Sequence, residues 1–592
     1  MIAQIRGFFS ALFFSNSILI YGFLLLIFTT SNFVSAKTFY VRSASEISTA
    51  MQTALPGDTL LMATGTWTNQ KIVFKGNGNS SKSIYLVAES PGNVIMSGTS
   101  SLRIGGNYLV VDGLSFKNGY SSSGGVIEFR DDSGNESNYC RLTNTSIVDY
   151  NPSNTTTDYK WVSLYGTHNR VDHCYLKGKA HLGTTLVVWR STTRADYHLI
   201  DSNYFGHRPP FPENGAETIR IGTSDQSLSS SFTVVEYNYF EECNGETEII
   251  SSKSCENIYR YNTFKDCQGI LTLRHGNRCT VEGNFFLCGN KTNSGGIRII
   301  GEDHKVLNNY IENSYGESFK SAITIMNGVP NSPLNRYFQV KRALVAFNTV
   351  VNSRVTLNLG AGKDSELTLP PLDCKIVNNI FYSNQSPLVT FTDNPINLTW
   401  SGNIFYGTSI GMTLPANNYN DNPQIIKSSD NLYRLTSTSP AINRSDTLFK
   451  PNTKDMDGQQ RIGIYDAGAD EYSQDSIIIK PLTKNLVGPK WMQNPTSVKE
   501  TTNIPSEFSL EQNYPNPFNP STKISYSLNE ESRVSLKVFD VLGKEVGEIV
   551  NEQKPAGNYT VDFNASRLSS GIYFFKLSND ENTIVKKGVL LK

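Results

Sequence analysis

The sequence predicts an all-β protein, a single right-handed parallel β-helix followed by a small C-terminal antiparallel β-sandwich. Two observations on the whole chain support this class. The 592 residues are too many for one ordinary core, which predicts more than one domain. The composition is rich in Gly, Tyr and Phe, with only 18% charged residues, which favours strands and turns over long helices. A repeat of strand-like segments is the third observation, and it decides between all-β architectures.

The repeat consists of alternating apolar residues, then usually Asn, then an apolar or aromatic pair, as in FTVVEYNYF and RCTVEGNFF. The aligned polar positions are Asn144, His173, Asn203, Asn238, Asn262, Asn284, Asn309, Asn348, Asn379 and Asn403. Successive positions lie between 22 and 39 residues apart, which indicates a short coil with insertions and is typical of a solenoid. We expect Asn in left-handed bends, stacked along the axis. A β-propeller, the alternative, would show a longer and more regular repeat.

The solenoid is expected to span residues 37–472. At its start, Ala44–Ala54 has apolar residues at helical spacing and ends before Pro56, which predicts one helix capping the open end. At its end, DMDGQQRIGIYDAGADEY lacks the repeat and is interpreted as the closing edge. Residues 473–503 are polar and predict a linker.

Residues 1–36 have the features of a secretory signal peptide. Arg6 precedes an apolar run, Ile18–Phe28, and the small residues Ser35 and Ala36 suit a cleavage site. An uncleaved membrane anchor is the alternative. We therefore expect an exported protein.

Charge and cysteine content narrow the classes of function. The 53 basic and 53 acidic residues cancel, so nothing draws the whole chain to nucleic acid, and no nucleic-acid partner is expected. A local basic cleft remains possible. None of the eight cysteines forms a CxxC pair, which argues against a zinc or redox site. Export permits disulfides, but we expect buried thiols or stacked cysteine ladders.

Residues 504–592 form a compositionally separate tail, in which alternating strands and Gly/Pro turns predict the β-sandwich. The words QNYPNPFNP, FDVLG and SGIY resemble the C-terminal sorting domain of the type IX secretion system. This resemblance implies export through the periplasm by that machinery, to the medium or the cell surface. An accessory carbohydrate-binding module is the alternative for this tail.

The stretch from Asn244 to Asn290 carries the candidate chemistry. Glu246 and Glu248 are two residues apart, so on a strand their carboxylates share one face. Adjacent carboxylates repel each other unless a cation or a proton lies between them. With an Asn oxygen nearby, such a pair suits Ca²⁺, whereas a solvated pair of surface charges is the simpler interpretation.

Cationic residues recur at the coil spacing beside these glutamates. Lys253 and Arg274 lie 21 residues apart and Arg298 follows 24 later, which predicts a column across three coils. Strict alternation from Glu248 would place Lys253 on the opposite face. The sequence therefore requires a bend, which we expect within Ser251–Ser254. Salt bridges on a β-helix face are the structural alternative.

A cationic column beside a metal site suits an acidic polymer and β-elimination from a uronic acid. A cation on the carboxylate stabilises the charge that develops when the C5 proton leaves. An amine can take that proton, and a guanidinium can help protonate the leaving oxygen. Hydrolysis is disfavoured, because a glycosidase needs its two carboxylates free to flank the bond.

Four motifs resemble polysaccharide lyase family six, the family of alginate lyases and chondroitinase B: NGAETIRIG at 214–222, ETEIISSKS at 246–254, LRHGN at 273–277 and GIRIIG at 296–301. The resemblance implies that Asn214, Glu246 and Glu248 bind Ca²⁺. It implies Lys253 as base and Arg274 as its acid partner. Substrate binding would fall to His275, Arg298 and Arg220, with weaker candidates in Arg208 and Arg190. Ala216 departs from the expected second glycine, which leaves the loop around Asn214 less defined.

The predicted function is an exported, Ca²⁺-dependent lyase that acts on an acidic polysaccharide, with alginate as the expected substrate. Dermatan sulfate is the alternative within the class, because the loops that select between bare and sulfated polymers cannot be identified from the sequence. A non-catalytic β-helix adhesin or glycan-binding protein is the alternative from another class. The joint presence of Lys253, Arg274, Glu246 and Glu248 weighs against it.

Overall fold

A computed structural model describes residues 35–212, 214–385, 387–493 and 507–592. The predicted signal segment, residues 1–36, lies almost wholly outside these ranges and stays a prediction. The chain separates into two compact units, one ending at Met492 and one comprising the C-terminal residues from 507 onward. Among the described residues, no helix is long and apolar enough to cross a membrane.

The first unit is the predicted parallel β-helix, in which successive coils place short strands on three parallel sheets. Sheet A contains Thr38–Val41, Thr59–Met62, Ile84–Ala88, Leu109–Asp112, Arg141–Thr143, Arg170–Asp172, Leu199–Asp201, Val234–Glu236, Ile258–Arg260, Thr280–Glu282, Lys305–Leu307, Leu344–Ala346, Lys375–Val377 and Thr399–Ser401. Sheet B contains Gly65–Thr68, Val94–Gly98, Leu114–Gly119, Ser146–Val148, Tyr175–Lys177, Tyr204–Phe205, Tyr239–Glu241, Thr263–Lys265, Phe285–Leu287, Tyr310–Glu312, Thr349–Val351, Ile380–Ser383 and Ile404–Gly407. Sheet C contains Lys71–Asn77, Ser101–Asn107, Ile127–Glu128, Ser137–Asn138, Val162–Leu164, Leu186–Val188, Ile219–Ile221, Glu248–Lys253, Ile270–His275, Ile297–Ile299, Ile323–Met326, Leu357–Ala361 and Val389–Phe391.

Within the described ranges one α-helix occurs, Ala44–Met51, and it packs at the start of the solenoid, which confirms the predicted cap. Ser43 begins it by accepting a hydrogen bond from the backbone N–H of Glu46 at 3.2 Å, which satisfies a free helix-end donor. Ile47 and Ala50 are buried against the core. The helix ends at Met51 rather than Ala54. Two 3-10 turns, Ser224–Gln226 and Ser318–Lys320, interrupt later coils.

The predicted asparagine stack exists, with two corrections. From Asn203 to Asn403, each buried Asn donates its side-chain amide to the next side-chain oxygen at 2.9–3.0 Å. The left-handed bend falls on the preceding residue, as at Tyr237 (φ 52°) before Asn238. Asn144 and His173 themselves occupy left-handed bends, so the repeat alignment is displaced by one residue at these two coils. The stack pairs buried polar groups that would otherwise destabilise the core.

All eight cysteines are free and buried in the solenoid, which confirms the expectation of buried thiols. Cys243 and Cys267 stack on adjacent coils, where the backbone N–H of Cys243 donates to the sulfur of Cys267 at 3.4 Å. Cys255 instead accepts the backbone N–H of Asn277 at 3.2 Å.

The solenoid ends in an antiparallel hairpin, Ile425–Lys427 with Tyr433–Leu435. The segment predicted as a linker, residues 473–503, is described up to Gln493. Its first part lies on the solenoid: Leu482 donates its backbone N–H to Thr263 Oγ1 at 2.8 Å, and Trp491 Nε1 donates to the Asn144 carbonyl at 2.8 Å. Whether the remainder acts as a spacer stays a prediction.

The second unit confirms the predicted antiparallel β-sandwich. One sheet contains Ser509–Leu510, Ser521–Leu528 and Gly557–Asn564, and the other contains Glu545–Lys554, Ser532–Phe539, Gly571–Ser578 and Thr583–Leu590. Alternating apolar residues from both sheets, including Ile524, Val538 and Phe575, form its buried core.

Candidate active-site cleft

The candidate site lies on the outer face of sheet C, where the strands Glu248–Lys253, Ile270–His275 and Ile297–Ile299 are hydrogen-bonded neighbours. Here a cleft of about 350 Å³ brings together seven of the residues predicted from the sequence. Those residues are Asn214, Glu246, Glu248, Lys253, Arg274, His275 and Arg298. Leu271, Leu273, Ile297 and Ile299 point into the core and are fully buried, as the alternation predicted.

An irregularity in the strand Glu248–Lys253 places its charged ends on one face. Glu248 pairs with Ile270 and Ile250 with the next residue, Leu271, so Ile249 has no partner and is buried. This extra residue is a β-bulge, which reverses the alternation and brings Glu248 onto the side of Lys253. The required bend therefore begins at Ile249, before the predicted Ser251–Ser254, with a second shift between Ser252 and Lys253.

A third carboxylate, Glu217, joins the two predicted glutamates. One oxygen from each of Glu217, Glu246 and Glu248 lies within 4.8 Å of the others. Burial, together with the charges of Glu217 and Glu248, raises the pKa of Glu246 to about 8. Glu217 Oε2 and Glu246 Oε1 are buried without a hydrogen-bond partner. Unpaired hard oxygens in such a cluster fit a cation like Ca²⁺.

Cationic side chains face this cluster. Lys253 Nζ lies 3.8 Å from Glu217 Oε1, and Arg274 Nε lies 3.9 Å from Glu248 Oε1. Arg298 forms an ion pair with Glu248 through Nη2. In the strand register Arg298 stands beside Thr272 rather than Arg274. The single column predicted from spacing is therefore two adjacent columns, because the coil from Thr272 to Arg298 has 26 residues, two more than separate Arg274 from Arg298.

Arg274 is held from three sides. Its guanidinium carbon lies 4.1 Å above the ring of Tyr337, and Nη1 donates to the Arg336 carbonyl at 3.1 Å. Nη1 also lies 2.8 Å from His275 Nε2, which accepts the hydrogen bond. Burial, Arg274 and Lys253 lower the pKa of His275 to about 3, so its imidazole is neutral and able to accept.

The remaining predicted substrate residues divide into two groups. Arg220 lies on the cleft side of sheet C, with its guanidinium carbon 5.0 Å from the ring of Trp189. Arg190 and Arg208 do not line the cleft, which corrects the expectation that they contact substrate. Arg190 is buried in an ion pair with Asp196.

Arg208 supports the cleft from below its surface. It is buried and donates to the backbone carbonyls of Glu217 at 3.0 Å and of Gly183 at 2.8 Å. It therefore fixes the loop that carries Glu217, because its donors are used on that backbone. The partners of Arg190 and Arg208 come close to them only through the fold, so the sequence alone does not show that these two side chains are buried.

Glu217 and Tyr337 were missed by the sequence reasoning, although the repeat contains a signal for both. The two longest intervals between ladder positions are Asn203 to Asn238 and Asn309 to Asn348. The first contains Asn214 and Glu217, and the second contains Tyr337. The two longest insertions thus meet at the cleft, where loops on a rigid scaffold commonly carry function.

The fold and the cleft define a right-handed parallel β-helix protein with a carboxylate cluster and cations on one sheet. A family model described as Chondroitinase B matches residues 41–450. The chain belongs to this family, polysaccharide lyase family six. A second model, the secretion system C-terminal sorting domain, matches residues 512–591, so the tail is a sorting domain that directs export to the medium or the cell surface. A search of curated proteins returned no match.

Solved structures agree with this membership. The alginate lyase AlyGC of this family is 35% identical, with a TM-score of 0.68, over 77% of this chain and 58% of its own. This chain thus spans little more than half of that enzyme. A mannuronic-acid-specific family member from human gut microbiota is 34% identical (TM-score 0.56, 63% of this chain, 87% of its own). The lyase Pedsa3628 from Pseudopedobacter saltans is 28% identical (TM-score 0.58, 76% and 99%).

Proposed function

We propose that the protein is an exported lyase that cleaves a uronate polymer, alginate, by cation-assisted β-elimination. The observation that carries the proposal is the carboxylate cluster Glu217, Glu246 and Glu248, with two unpaired buried oxygens beside Lys253 and Arg274. A cation would occupy the cluster, and the two basic side chains face it from one side.

Glu217, Glu246 and Glu248 would hold the cation as a divalent ion, Ca²⁺, with Asn214 on the same cleft wall. When bound, Ca²⁺ would neutralise the substrate carboxylate and so make the neighbouring C–H bond more acidic. Glu217 extends the ligand set predicted from sequence, in which only Asn214, Glu246 and Glu248 were named.

The chain's own residues would move the protons. Lys253 would accept the C5 proton, the C4–O4 bond would break, and a C4=C5 double bond would form in the uronate. The departing O4 would take up one proton from water, and Lys253 would then return the C5 proton to solvent. Arg274 is fixed against Tyr337 and His275, so its guanidinium is positioned to stabilise charge on that oxygen. Arg298 and Arg220 would pair with carboxylates of neighbouring sugars.

Hydrolysis is disfavoured by the same geometry. The cluster's carboxylate oxygens lie within 4.8 Å of one another and Glu248 is bound by Arg298, so no free carboxylate pair flanks a bond. A non-catalytic glycan-binding protein would not need both a lysine and an arginine beside the carboxylate cluster, and this weighs against that alternative.

Alginate is proposed because two of the similar structures are described as an alginate lyase and a mannuronic-acid-specific lyase. Dermatan sulfate is the second candidate, because the family model is that of chondroitinase B. Incubating the full chain with each polymer in Ca²⁺, and following the ultraviolet absorbance of the unsaturated uronate, separates the two. Product from dermatan sulfate alone would transfer the proposal to that polymer, and product from neither would contradict it.

The sorting domain implies that the type IX secretion machinery is the partner for export. Deleting residues 504–592 should keep the protein inside the cell while leaving its activity per molecule unchanged. A deletion variant that is still exported would contradict this role of the tail.

A further inference from the structure

The face of sheet C continues beyond Lys253 toward the N-terminal coils. Leu164, Val188, Ile221 and Ser252 are aligned neighbours on four successive strands. The residues that follow them in the chain are Tyr165, Trp189, Gly222 and Lys253. Because adjacent strands are about 4.8 Å apart, Trp189 lies roughly 10 Å and Tyr165 roughly 14 Å from the coil of Lys253.

The two aromatic rings form a stacked pair with cations at both ends. The ring centroids of Tyr165 and Trp189 are 6.2 Å apart at an interplanar angle of 14°. The guanidinium of Arg130 lies 4.2 Å from the Tyr165 ring, and that of Arg220 lies 5.0 Å from the Trp189 ring. Trp189 Nε1 donates to Ser163 Oγ at 3.3 Å, which orients the indole. Both rings are only partly buried.

Arg220 differs from the other arginines on this face. Arg103 and Arg130 share the carboxylate of Glu128. Arg220 has no acidic group within 4.0 Å in the described ranges, and its Nε is buried without a hydrogen-bond partner. An unpaired guanidinium next to a cleft is suited to an anionic ligand, because a carboxylate can satisfy two of its donors at once.

In the register of sheet C, a glycine separates this pair from Lys253. Gly222 has φ +89° and occupies the aligned position between Trp189 and Lys253. A Cβ there would lie 2.6 Å from the Lys253 carbonyl, so no larger residue fits. Gly222 is itself buried, so no side chain rises at this position between the lysine and the indole, and Arg220 borders the indole. On the opposite side of Lys253, Tyr337 covers Arg274.

We propose that Trp189, with Tyr165 and Arg220, forms a binding subsite for uronate units two to three coils from the cleaved bond. The sugar carboxylate would pair with the free donors of Arg220, and the apolar part of the sugar ring would contact the solvent-facing edges of the indole and of the Tyr165 ring. This inference rests on the proposed function and deepens it. The enzyme would hold its polymer over at least three coils and cleave longer chains faster.

The test uses the full chain and alginate oligomers of two to eight units. In the wild-type protein kcat/KM should rise with length until the chain reaches Trp189. Trp189→Ala and Arg220→Gln should each lower the ratio of hexamer to trimer kcat/KM by roughly tenfold, the size expected when an anchoring contact is removed. Trp189→Phe should restore part of the ratio.

Tyr197→Ala is the matched control. Tyr197 is also exposed and stacked, 4.9 Å from His168 and 5.1 Å from Phe232, but it precedes the sheet A strand Leu199–Asp201 and does not follow a strand of sheet C. Its removal should leave the length dependence as in the wild-type protein. Thermal unfolding of every variant separates loss of folding from loss of binding, and Arg220→Gln remains informative if Trp189→Ala does not fold.

A second readout does not depend on catalysis. In the Lys253→Ala background, hexamer affinity measured by calorimetry should fall roughly tenfold on adding Trp189→Ala. An unchanged affinity and an unchanged length ratio would show that the rings only stack between coils, and would overturn the inference. Absence of cleavage by the wild-type protein, with hexamer binding still dependent on Trp189, would overturn the proposed function and leave the subsite standing.

Discussion

Two clusters of three carboxylates lie in the solenoid unit, and they differ in how their oxygens are satisfied. In the cleft, Glu217, Glu246 and Glu248 approach within 4.8 Å, and so do Asp455, Asp457 and Asp470 at the closing edge. Both clusters would be unfavourable if left uncompensated, because like charges in a partly buried site repel each other.

The aspartates have hydrogen-bond partners within the chain, although burial raises the pKa of Asp455 to about 6 and also raises the pKa of Asp470. Asp455 accepts backbone N–H groups from Asp457, Gln459 and Glu471 at 2.8–3.0 Å. Asp457 binds Arg434 through both oxygens, at 2.7 and 2.8 Å. Asp470 accepts the backbone N–H of Leu435 at 2.7 Å.

The glutamates are left incomplete. Among the described residues, buried atoms without a partner include Glu217 Oε2 and Glu246 Oε1 but no oxygen of the three aspartates. Proximity of acidic groups is therefore a weak indicator of a metal site, whereas unpaired buried oxygens that face a cleft are a stronger one. The following predictions separate the two clusters.

The largest expected effect is on catalysis beside the cleft cluster. Lys253→Ala should lower kcat by about 10²- to 10⁴-fold, the range for losing a general base, without loss of folding. Lys305→Ala, an exposed lysine on sheet A, should leave kcat unchanged. Initial rates of unsaturated product measure both, and a fully active Lys253→Ala protein would remove this residue from the role of base.

Replacing one carboxylate in each cluster should change different properties, the activity in the cleft and the stability at the closing edge. Glu246→Gln should reduce activity roughly 10²-fold or more, because a cation supplies several kcal/mol to the transition state. Asp457→Asn should preserve activity per folded molecule but destabilise the solenoid by about 1–3 kcal/mol, since partly buried Arg434 loses one of its two carboxylate partners. Denaturant unfolding and initial rates measure both. Equal loss of activity in the two variants would show that the two clusters do not differ in function.

Cation removal provides a smaller, purely thermodynamic test. At a Ca²⁺ concentration one hundred times the dissociation constant, the wild-type protein should gain about 2.7 kcal/mol of stability. Asp457→Asn should gain the same amount, and Glu246→Gln should gain much less. Thermal unfolding with and without chelator measures the shift. A Ca²⁺-dependent shift that is lost in Asp457→Asn and kept in Glu246→Gln would place the ion at the closing edge.

The smallest expected effect concerns pH. Burial and two neighbouring cations lower the pKa of His275 to about 3, below its usual 6.5, so the neutral form persists in the folded protein throughout pH 5–9. Protonation is disfavoured in the folded state, so this group's contribution to stability declines only as pH falls below 6.5. His275→Gln should reduce the rate but leave the midpoints of the pH–rate profile in place. A displaced acid midpoint would show that His275 titrates during turnover.

The solenoid could be predicted from the sequence because the asparagine repeat follows directly from the geometry of the coil. Lys253 and Arg274 were correctly placed on adjacent coils for the same reason. The position of the bend was not predictable, because a bulge at Ile249 depends on pairing with the neighbouring strand. The covering of Arg274 by Tyr337 was also missed, since it depends on the path of an inserted loop rather than on the repeat.

Arg190 and Arg208 illustrate a further limit. Each is an arginine near a motif, and nothing in the sequence distinguishes one that faces a cleft from one whose donors are used on buried carbonyls. Glu217 is the opposite case. It lies within the motif NGAETIRIG, but only the position of its side chain beside Glu246 makes it a candidate ligand.

The central claim is elimination at a cation-binding carboxylate cluster, and the mass of the product tests it most directly. Alginate digested by the full chain in Ca²⁺ should give oligomers one water lighter than hydrolysis products, absorbing in the ultraviolet, and chelation should stop their formation. Oligomers carrying the full mass of water at each cut, or unsaturated product formed equally well by Glu246→Gln without Ca²⁺, would contradict the account.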